Sequence, residues 1–329
     1  MFNVGDIMRK ALLIGIDRYD TAPLNCCVND VNELSVALAN NFDLSANFSI
    51  KTIINEKATR ANVRTQIREL FEGEGKIALL YFSGHGVDDV HDGSIVTFDY
   101  VKNDYGIRMT EILELANNSK MKYKIIILDC CHAGFLGTPG LLGDTSSLAD
   151  GVIILTASKK DQVSKEVNGH GVFTNLLLEG LNGGACDLLG RVTPGSIYAF
   201  IDQALGPWEQ RPLFKANISS FISLRQCHPF IKIKDLKETI NLFRNENSNY
   251  FLDPSYEKTN YKGSKHRTCE PYAIEENVEI MTKLQKFNRC GLVKPVGCDD
   301  MYFAAMERKS CCLTPLGKHY WKLVKEEKI

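Results

Sequence analysis

Two residues of this chain have the chemistry of a nucleophile and its base, and both stand in equivalent surroundings. His85 follows the apolar run Ile77-Ala-Leu-Leu-Tyr-Phe82 within Ser83-Gly84-His85-Gly86. Cys131 follows Ile125-Ile-Ile-Leu128 within Asp129-Cys130-Cys131-His132-Ala133-Gly134, 46 residues further on. A thiol attacks as its thiolate, and a nearby imidazole is the usual base that makes it one. Short apolar runs bounded by glycine and polar residues are the pattern of strands buried on both faces of a parallel sheet. Ligands and chemistry collect at the carboxyl ends of such strands. Two strands that deliver an imidazole and a thiol to that edge make a candidate dyad. Gly84 and Gly86 leave room beside His85 for a substrate backbone and are candidate oxyanion or positioning residues, and Gly134 lies where backbone N–H groups would hold an oxyanion.

The elements that must position this pair are legible on either side of it. Ala11–Ile16 reads as a first strand and Ser49–Ile54 as a second. Asn29–Phe42 has Val31, Leu34, Leu38 and Phe42 at helical spacing, and Arg60–Phe71 has Val63, Ile67 and Leu70. Ile95–Tyr100 reads as a small hairpin strand and Thr110–Asn117 as a helix before the cysteine strand. Val152–Thr156 is a further buried strand, Gly171–Leu181 and Thr193–Leu205 are helices, and Gln210-Arg-Pro-Leu-Phe214 opens a last strand. Strand and helix alternate throughout, which predicts an α/β domain with a mostly parallel sheet of about six strands.

The Ser83–Gly86 and Asp129–Gly134 motifs resemble those of the caspase-like cysteine peptidases, and in detail those of metacaspases and their bacterial relatives. In caspases, too, the histidine precedes the cysteine by about 50 residues. Asp-Cys-Cys-His-Ala-Gly stands where animal caspases have a glutamine-alanine-cysteine form, and Gly171-Val-Phe-Thr174 is also similar to bacterial caspase-like proteins. The resemblance covers roughly Lys10–Leu224. It implies a caspase-like sandwich of helices around the sheet, with Cys131 as nucleophile and His85 as base. Strand alternation agrees, because Asp129 and Cys131 would share a face while Cys130 points into the core.

The resemblance also implies a specificity pocket. Metacaspases receive arginine or lysine at P1 on acidic residues, and the corresponding positions here are Cys27, Asp30, Ser83 and Asp129. Two carboxylates in a narrow pocket suit a guanidinium, which pairs with them bidentately. Taken alone, Asp30 also suits a helix N-cap or a first-turn dipole partner, and Asp129 suits orienting a loop through backbone hydrogen bonds. Leu136–Gly151 lies where related enzymes separate large and small subunits. It holds no lysine or arginine, so an enzyme specific for basic residues would not cut itself there. Lys159, Lys160 and Lys165 are the nearest alternatives.

The dyad requires no cofactor. Calcium activates many metacaspases, and Asp88, Asp89, Asp92, Asp99 and Asp104 offer carboxylates near His85, but their spacing reproduces no recognised site. Cys269, Cys290, Cys298, Cys311 and Cys312, with His266, contain no C-x-x-C pair and read as reduced core cysteines rather than zinc ligands.

The 329 residues give room for about two domains. The expected division is 1–226 as the peptidase domain, 227–268 as a helix and polar linker (with 245–267 as a long loop), and 269–329 as a C-terminal module. In that module Glu275–Asn288 is helical, Gly291–Val296 and Met301–Ala305 pair as a hairpin, and Thr314-Pro315 opens a closing helix. Helix, hairpin and helix resemble a small winged-helix-like α+β domain. Before Gln226 there are 21 Lys and Arg against 26 Asp and Glu, and from there on 18 against 14. That excess is too small to argue for nucleic acid. No apolar stretch has the length of a membrane helix and no signal-peptide pattern opens the sequence. Eleven cysteines, an odd number with three adjacent pairs, suit a reducing cytoplasm. The leading expectation is a cytoplasmic endopeptidase acting on protein substrates after Arg or Lys, with a C-terminal module that docks an activating or recruiting protein. By resemblance its setting is bacterial signalling, cell death or phage defence. The alternative is a catalytically silent scaffold whose winged-helix-like module binds DNA or a protein partner.

Overall fold

A computed structural model of the chain describes residues 8–89, 92–130, 147–157, 166–167, 170–205, 212–220, 222–265 and 267–329. It divides into two compact units, Met1–His228 and Pro229–Ile329.

In the first unit the apolar runs become the centre of one sheet. The chain passes through β1 (Arg9–Gly15), α1 (Cys27–Ala39), β2 (Ser49–Ile54), α2 (Arg60–Phe71) and β3 (Gly75–Ser83). A small antiparallel sheet follows, built from β4 (Gly86–Asp89), β5 (Asp92–Val101) and β6 (Asp104–Arg108). Next come α3 (Met109–Asn117), β7 (Met121–Asp129), β8 (Val152–Thr156), and the short pair β9 (Glu166–Val167) and β10 (His170–Gly171). The unit closes through α4 (Val172–Glu179), β11 (Arg191–Val192), α5 (Pro194–Ala204), β12 (Leu213–Asn217) and β13 (Arg225–Gln226). The main sheet has six strands in the order β12-β8-β7-β3-β1-β2. All neighbours run parallel except β12, which is antiparallel to β8. The mostly parallel six-strand expectation therefore holds.

Side-chain alternation divides this sheet between two cores. Leu12, Ile14, Ala78, Leu80, Phe82, Ile126, Leu128 and Cys130 pack with α2 and α3. Ala11, Leu13, Ile77, Leu79, Tyr81, Ile125 and Ile127 pack with α1, α4 and α5. Residues 77–82 of β3 are fully buried, and each large apolar side chain there contributes about 1.5–3 kcal/mol. The edge residues Ser83 and Asp129 continue the series that faces α1 and α4.

Helix α1 begins at Cys27, two residues before the sequence pattern suggests. The Asp17 carboxylate, arriving from the end of β1, accepts the N–H groups of Cys27 (2.8 Å) and Val28 (3.1 Å) and caps the helix. Asp30, whose alternative reading is a cap, does not cap the helix and sits buried in its first turn.

The second unit runs through α6 (Ile233–Ile240), β14 (Asn249–Phe251), α7 (Glu275–Arg289), β15 (Val293–Val296), α8 (Met301–Met306), β16 (Ser310–Leu313) and α9 (Pro315–Lys325). Its antiparallel sheet has the order β14-β16-β15. The expected hairpin between Gly291–Val296 and Met301–Ala305 is not formed. Met301–Met306 is a helix, capped by Asp300, which accepts from Phe303 N at 2.9 Å, and β15 pairs instead with β16. The 245–267 stretch is no loose loop either. It contributes β14, and the buried Asn260 amide donates to the carbonyls of Pro254, Cys269 and Pro271, each at 2.9 Å. Thr314 caps α9 as its sequence suggests, accepting from Gly317 N at 3.0 Å. Gly317 is needed there because a Cβ would lie 2.0 Å from the Leu292 carbonyl.

Candidate active site

The register of β3 and β7 pairs Ser83 with Asp129, and β1 brings Gly15 alongside Ser83. His85 stands two residues beyond Ser83, and Cys131 two residues beyond Asp129. Cys131 itself, with His132, Gly134 and the loop to Ser146, lies outside the described residues, as do Lys159, Lys160, Lys165 and His266. Cys130 is described. It is 1% exposed and packed in the core beside Leu128, as strand alternation requires.

His85 is held on three sides. Its backbone N–H donates to the Tyr19 hydroxyl (3.1 Å), and its carbonyl accepts from Val96 N (2.9 Å). The Tyr19 hydroxyl in turn donates to the Val96 carbonyl at 3.2 Å, and the Tyr19 and His85 rings lie 4.6 Å apart. The imidazole Nε2 is 2.6 Å from the carbonyl oxygen of Ala22. A carbonyl only accepts, so Nε2 carries the proton, and in the neutral ring Nδ1 is left as the basic nitrogen. Ala22 has φ +58°, a left-handed conformation unusual for a residue with a Cβ. The backbone there is bent to aim that carbonyl. Gly84 N donates to Asp129 O at 3.3 Å and ties the histidine turn to the cysteine strand.

Gly84 does not hold open space for a substrate. A Cβ at Gly84 would lie 2.6 Å from the Tyr19 hydroxyl and 2.8 Å from the Phe82 ring, so the glycine makes way for Tyr19. Gly86 opens β4 and pairs with Ile95.

The four residues that resemblance assigns to the pocket come together at the ends of β3 and β7. Ser83 Oγ donates to Asp30 Oδ2 at 3.0 Å, and the buried Cys27 lies in the same first turn of α1 as Asp30. Burial pushes the Cys27 thiol up, so it remains a thiol. Asp129 Oδ2 accepts from Thr174 Oγ1 at 2.6 Å, and Thr174 Oγ1 accepts from the Tyr81 hydroxyl at 2.7 Å. Gly171 lies so close that a Cβ there would be 2.8 Å from Asp129 Oδ2. Burial pushes the Asp30 carboxyl up to about 7, with the neighbouring Asp129 adding to it, while His170 and Ser83 pull it down. Burial likewise raises Asp129, and its hydrogen bonds from Thr174 oppose the rise.

Three supporting residues have no signal in local spacing: Tyr19, Thr174 and His170. Thr174 belongs to the Gly171-Val-Phe-Thr174 motif, which the sequence shows without its role. His170 Nδ1 is 2.7 Å from Asp30 Oδ1.

Three of the acidic residues considered for calcium have other partners, and the Asp88 and Asp89 side chains lie outside the described residues. Asp99 accepts from Arg60 N at 2.7 Å, Asp104 pairs with Arg60, and Asp92 accepts from Thr110. Among the described residues no three His, Cys, Asp or Glu side chains converge to hold a metal ion. No helix among them is long and apolar enough to cross a membrane.

Comparison with known proteins bears on the first unit. The family model described as "Caspase domain" matches residues 8–221. A crystal structure of a protein from Geobacter sulfurreducens is 20% identical, with a TM-score of 0.50 over 68% of this chain and 98% of that one. Caspase-1 from Spodoptera frugiperda is 14% identical, with a TM-score of 0.48 over 69% of this chain and 94% of that one. No curated protein matches the sequence. A six-stranded, mostly parallel sheet with the family's match across nearly all of the first unit leads to one conclusion: the chain belongs to the caspase-domain family of cysteine peptidases.

Proposed function

We propose that the protein is a metacaspase-like cysteine endopeptidase that cleaves after arginine or lysine, with His85 as base and Cys131 as nucleophile. The observation that carries this reading is the Ser83–Asp129 register. It ends β3 and β7 level, beside Asp30 and Asp129, and each proposed dyad member follows its strand by two residues. Cys130 is buried in the core, which leaves Cys131 as the cysteine of the pair able to meet a substrate.

In the proposed reaction His85 Nδ1 takes the Cys131 thiol proton. The thiolate attacks the scissile carbonyl carbon, and the tetrahedral oxyanion is held by backbone N–H groups near Gly134. The intermediate collapses to a thioester as the C–N bond breaks, and the imidazolium gives its proton to the departing amine. Water, deprotonated by the same nitrogen, hydrolyses the thioester and regenerates the thiol. Asp30 and Asp129 receive the P1 cation, with Ser83 orienting Asp30, and Cys27 backing Ser83. The Ala22 carbonyl fixes the tautomer and stabilises the imidazolium that forms.

The second unit is proposed as a winged-helix-like docking module. A central β16 between β14 and β15, followed by α9, supports that reading. Its partner is proposed to be an activating or recruiting protein, and the setting cytoplasmic. The test of the peptidase is covalent: a peptidyl-arginine chloromethyl ketone should alkylate Cys131, located by peptide mapping, and do so only when His85 is intact. Alkylation of Cys130, or preference for the aspartyl analogue, would overturn the assignment.

A further inference from the structure

We propose that His170 is a positioning residue of the specificity pocket, orienting the Asp30 carboxyl and favouring its ionised form for a guanidinium. The inference rests on the proposed basic specificity and deepens it. Asp30 is 1% exposed and His170 6% exposed. An isolated carboxylate at such a depth pays a large desolvation penalty and avoids it by taking up a proton. A protonated Asp30 would offer a P1 cation no charge. His170 opposes that outcome with a 2.7 Å hydrogen bond from Nδ1 to Asp30 Oδ1, while Ser83 serves the other oxygen at 3.0 Å.

The surroundings explain why a histidine is required. Asp129 stands close enough to raise the Asp30 carboxyl further by like-charge repulsion. Its own hydrogen bonds come from the neutral Thr174, so it brings no positive charge to the pair. From α1, Glu33 Oε1 lies 3.3 Å and the Asn29 amide nitrogen 3.1 Å from His170 Nε2. The described groups facing His170 are thus Asp30, Glu33 and Asn29 of α1, with Asp129 across the pocket on β7. Three of the four are acidic, and the His170 ring is the hydrogen-bonding group placed against Asp30 among them. Its Nδ1 is committed to the pocket and its Nε2 to the α1 surface. The backbone holds it there too, because β10 pairs with β9 and leads directly into α4, whose Thr174 holds Asp129. One short segment therefore positions both pocket carboxylates.

The consequence is a pH profile. With His170 present the Asp30 carboxyl lies at about 7, so guanidinium binding has an acid limb near neutrality. Removing the histidine removes the influence that lowers this value, and the limb moves to higher pH. A shift of about one unit makes binding at pH 7 about five-fold weaker and leaves it unaltered well above the limb.

The experiment is calorimetric binding of agmatine, a small guanidinium ligand, to the full chain between pH 5.5 and 9. It compares wild type, His170→Ala, Asp30→Asn and the double variant. The expected result is an acid limb displaced upward by about one unit in His170→Ala. Asp30→Asn should bind weakly, without that limb, and the double variant should match it, because His170 acts through Asp30. An unchanged limb in His170→Ala, with wild type still binding, would overturn the role of His170 and leave the basic pocket standing. No agmatine binding by folded wild type at any pH would overturn the basic pocket, and the inference with it. If His170→Ala does not fold, His170→Phe fills the same space without a donor and is judged by the same limb.

Discussion

Ser83 and Asp129 face each other across adjacent parallel strands, and each leads within two residues to one member of the His85/Cys131 pair. The same two side chains turn toward α1 and α4, where Ser83 binds Asp30 and Asp129 binds Thr174. One register thus ends the two strands level beside the proposed pocket residues.

The first prediction concerns the base. His85→Ala should lower kcat by about 100-fold or more, the range for loss of a positioned general base, while KM changes little. Tyr19→Phe should act in the same direction but more weakly, since it leaves the His85 N–H without its acceptor and costs about 1–3 kcal/mol. Steady-state kinetics on an arginyl substrate, with melting curves alongside, separates the two effects.

The adjacent cysteines give an unusually clean contrast. Cys130→Ala should cost about 1 kcal/mol of stability through lost core packing and retain activity per folded molecule. Cys131→Ala should fold normally and be inactive. Loss of activity in a well-folded Cys130→Ala would reverse the assignment.

Much of this was legible in the sequence because burial on both faces writes a continuous apolar run. Residues 77–82 and 125–128 could hardly be anything but central strands, and motif resemblance then supplied the chemistry. What escaped depends on contacts between distant residues. Tyr19 reaches His85 across 66 positions and His170 reaches Asp30 across 140, and nothing local to either residue marks the meeting. Met301–Ala305 misled for a different reason. Five mostly apolar residues fit a strand or one helical turn equally well, and the deciding feature is the side chain of Asp300 at the helix start. Asn260 escaped likewise, since a polar residue in a polar stretch gives no hint that its amide organises three carbonyls.

Stability should depend on pH through Asp30. Its carboxyl is about 7 in the folded protein, against about 3.9 for an unperturbed aspartate. The folded state therefore holds a proton that the unfolded state releases, so this contribution is full below pH ~4 and is lost as pH rises through about 7. Asp30→Asn should flatten the fall in melting temperature across that window while weakening arginine binding. An unchanged slope would show that Asp30 is not the group responsible.

Thr174→Val should unsettle Asp129 and leave the Tyr81 hydroxyl without its acceptor, since both bonds end on Thr174 Oγ1. The expected cost is about 1–3 kcal/mol in stability, with a higher KM for arginyl substrates. Tyr81→Phe should cost less and leave KM nearly unchanged, because it removes only the outer bond.

Leu136–Gly151 contains no lysine or arginine. Intact-mass analysis of active enzyme should find that stretch uncut, and a self-made cut within it would count against basic specificity.

The most direct measurement is hydrolysis of fluorogenic peptides carrying Arg, Lys or Asp at P1, by wild type and Cys131→Ala. The account predicts cleavage after Arg, weaker or equal cleavage after Lys, none after Asp, and complete loss in Cys131→Ala. Cleavage after Asp, or arginine cleavage that survives the substitution, would contradict it.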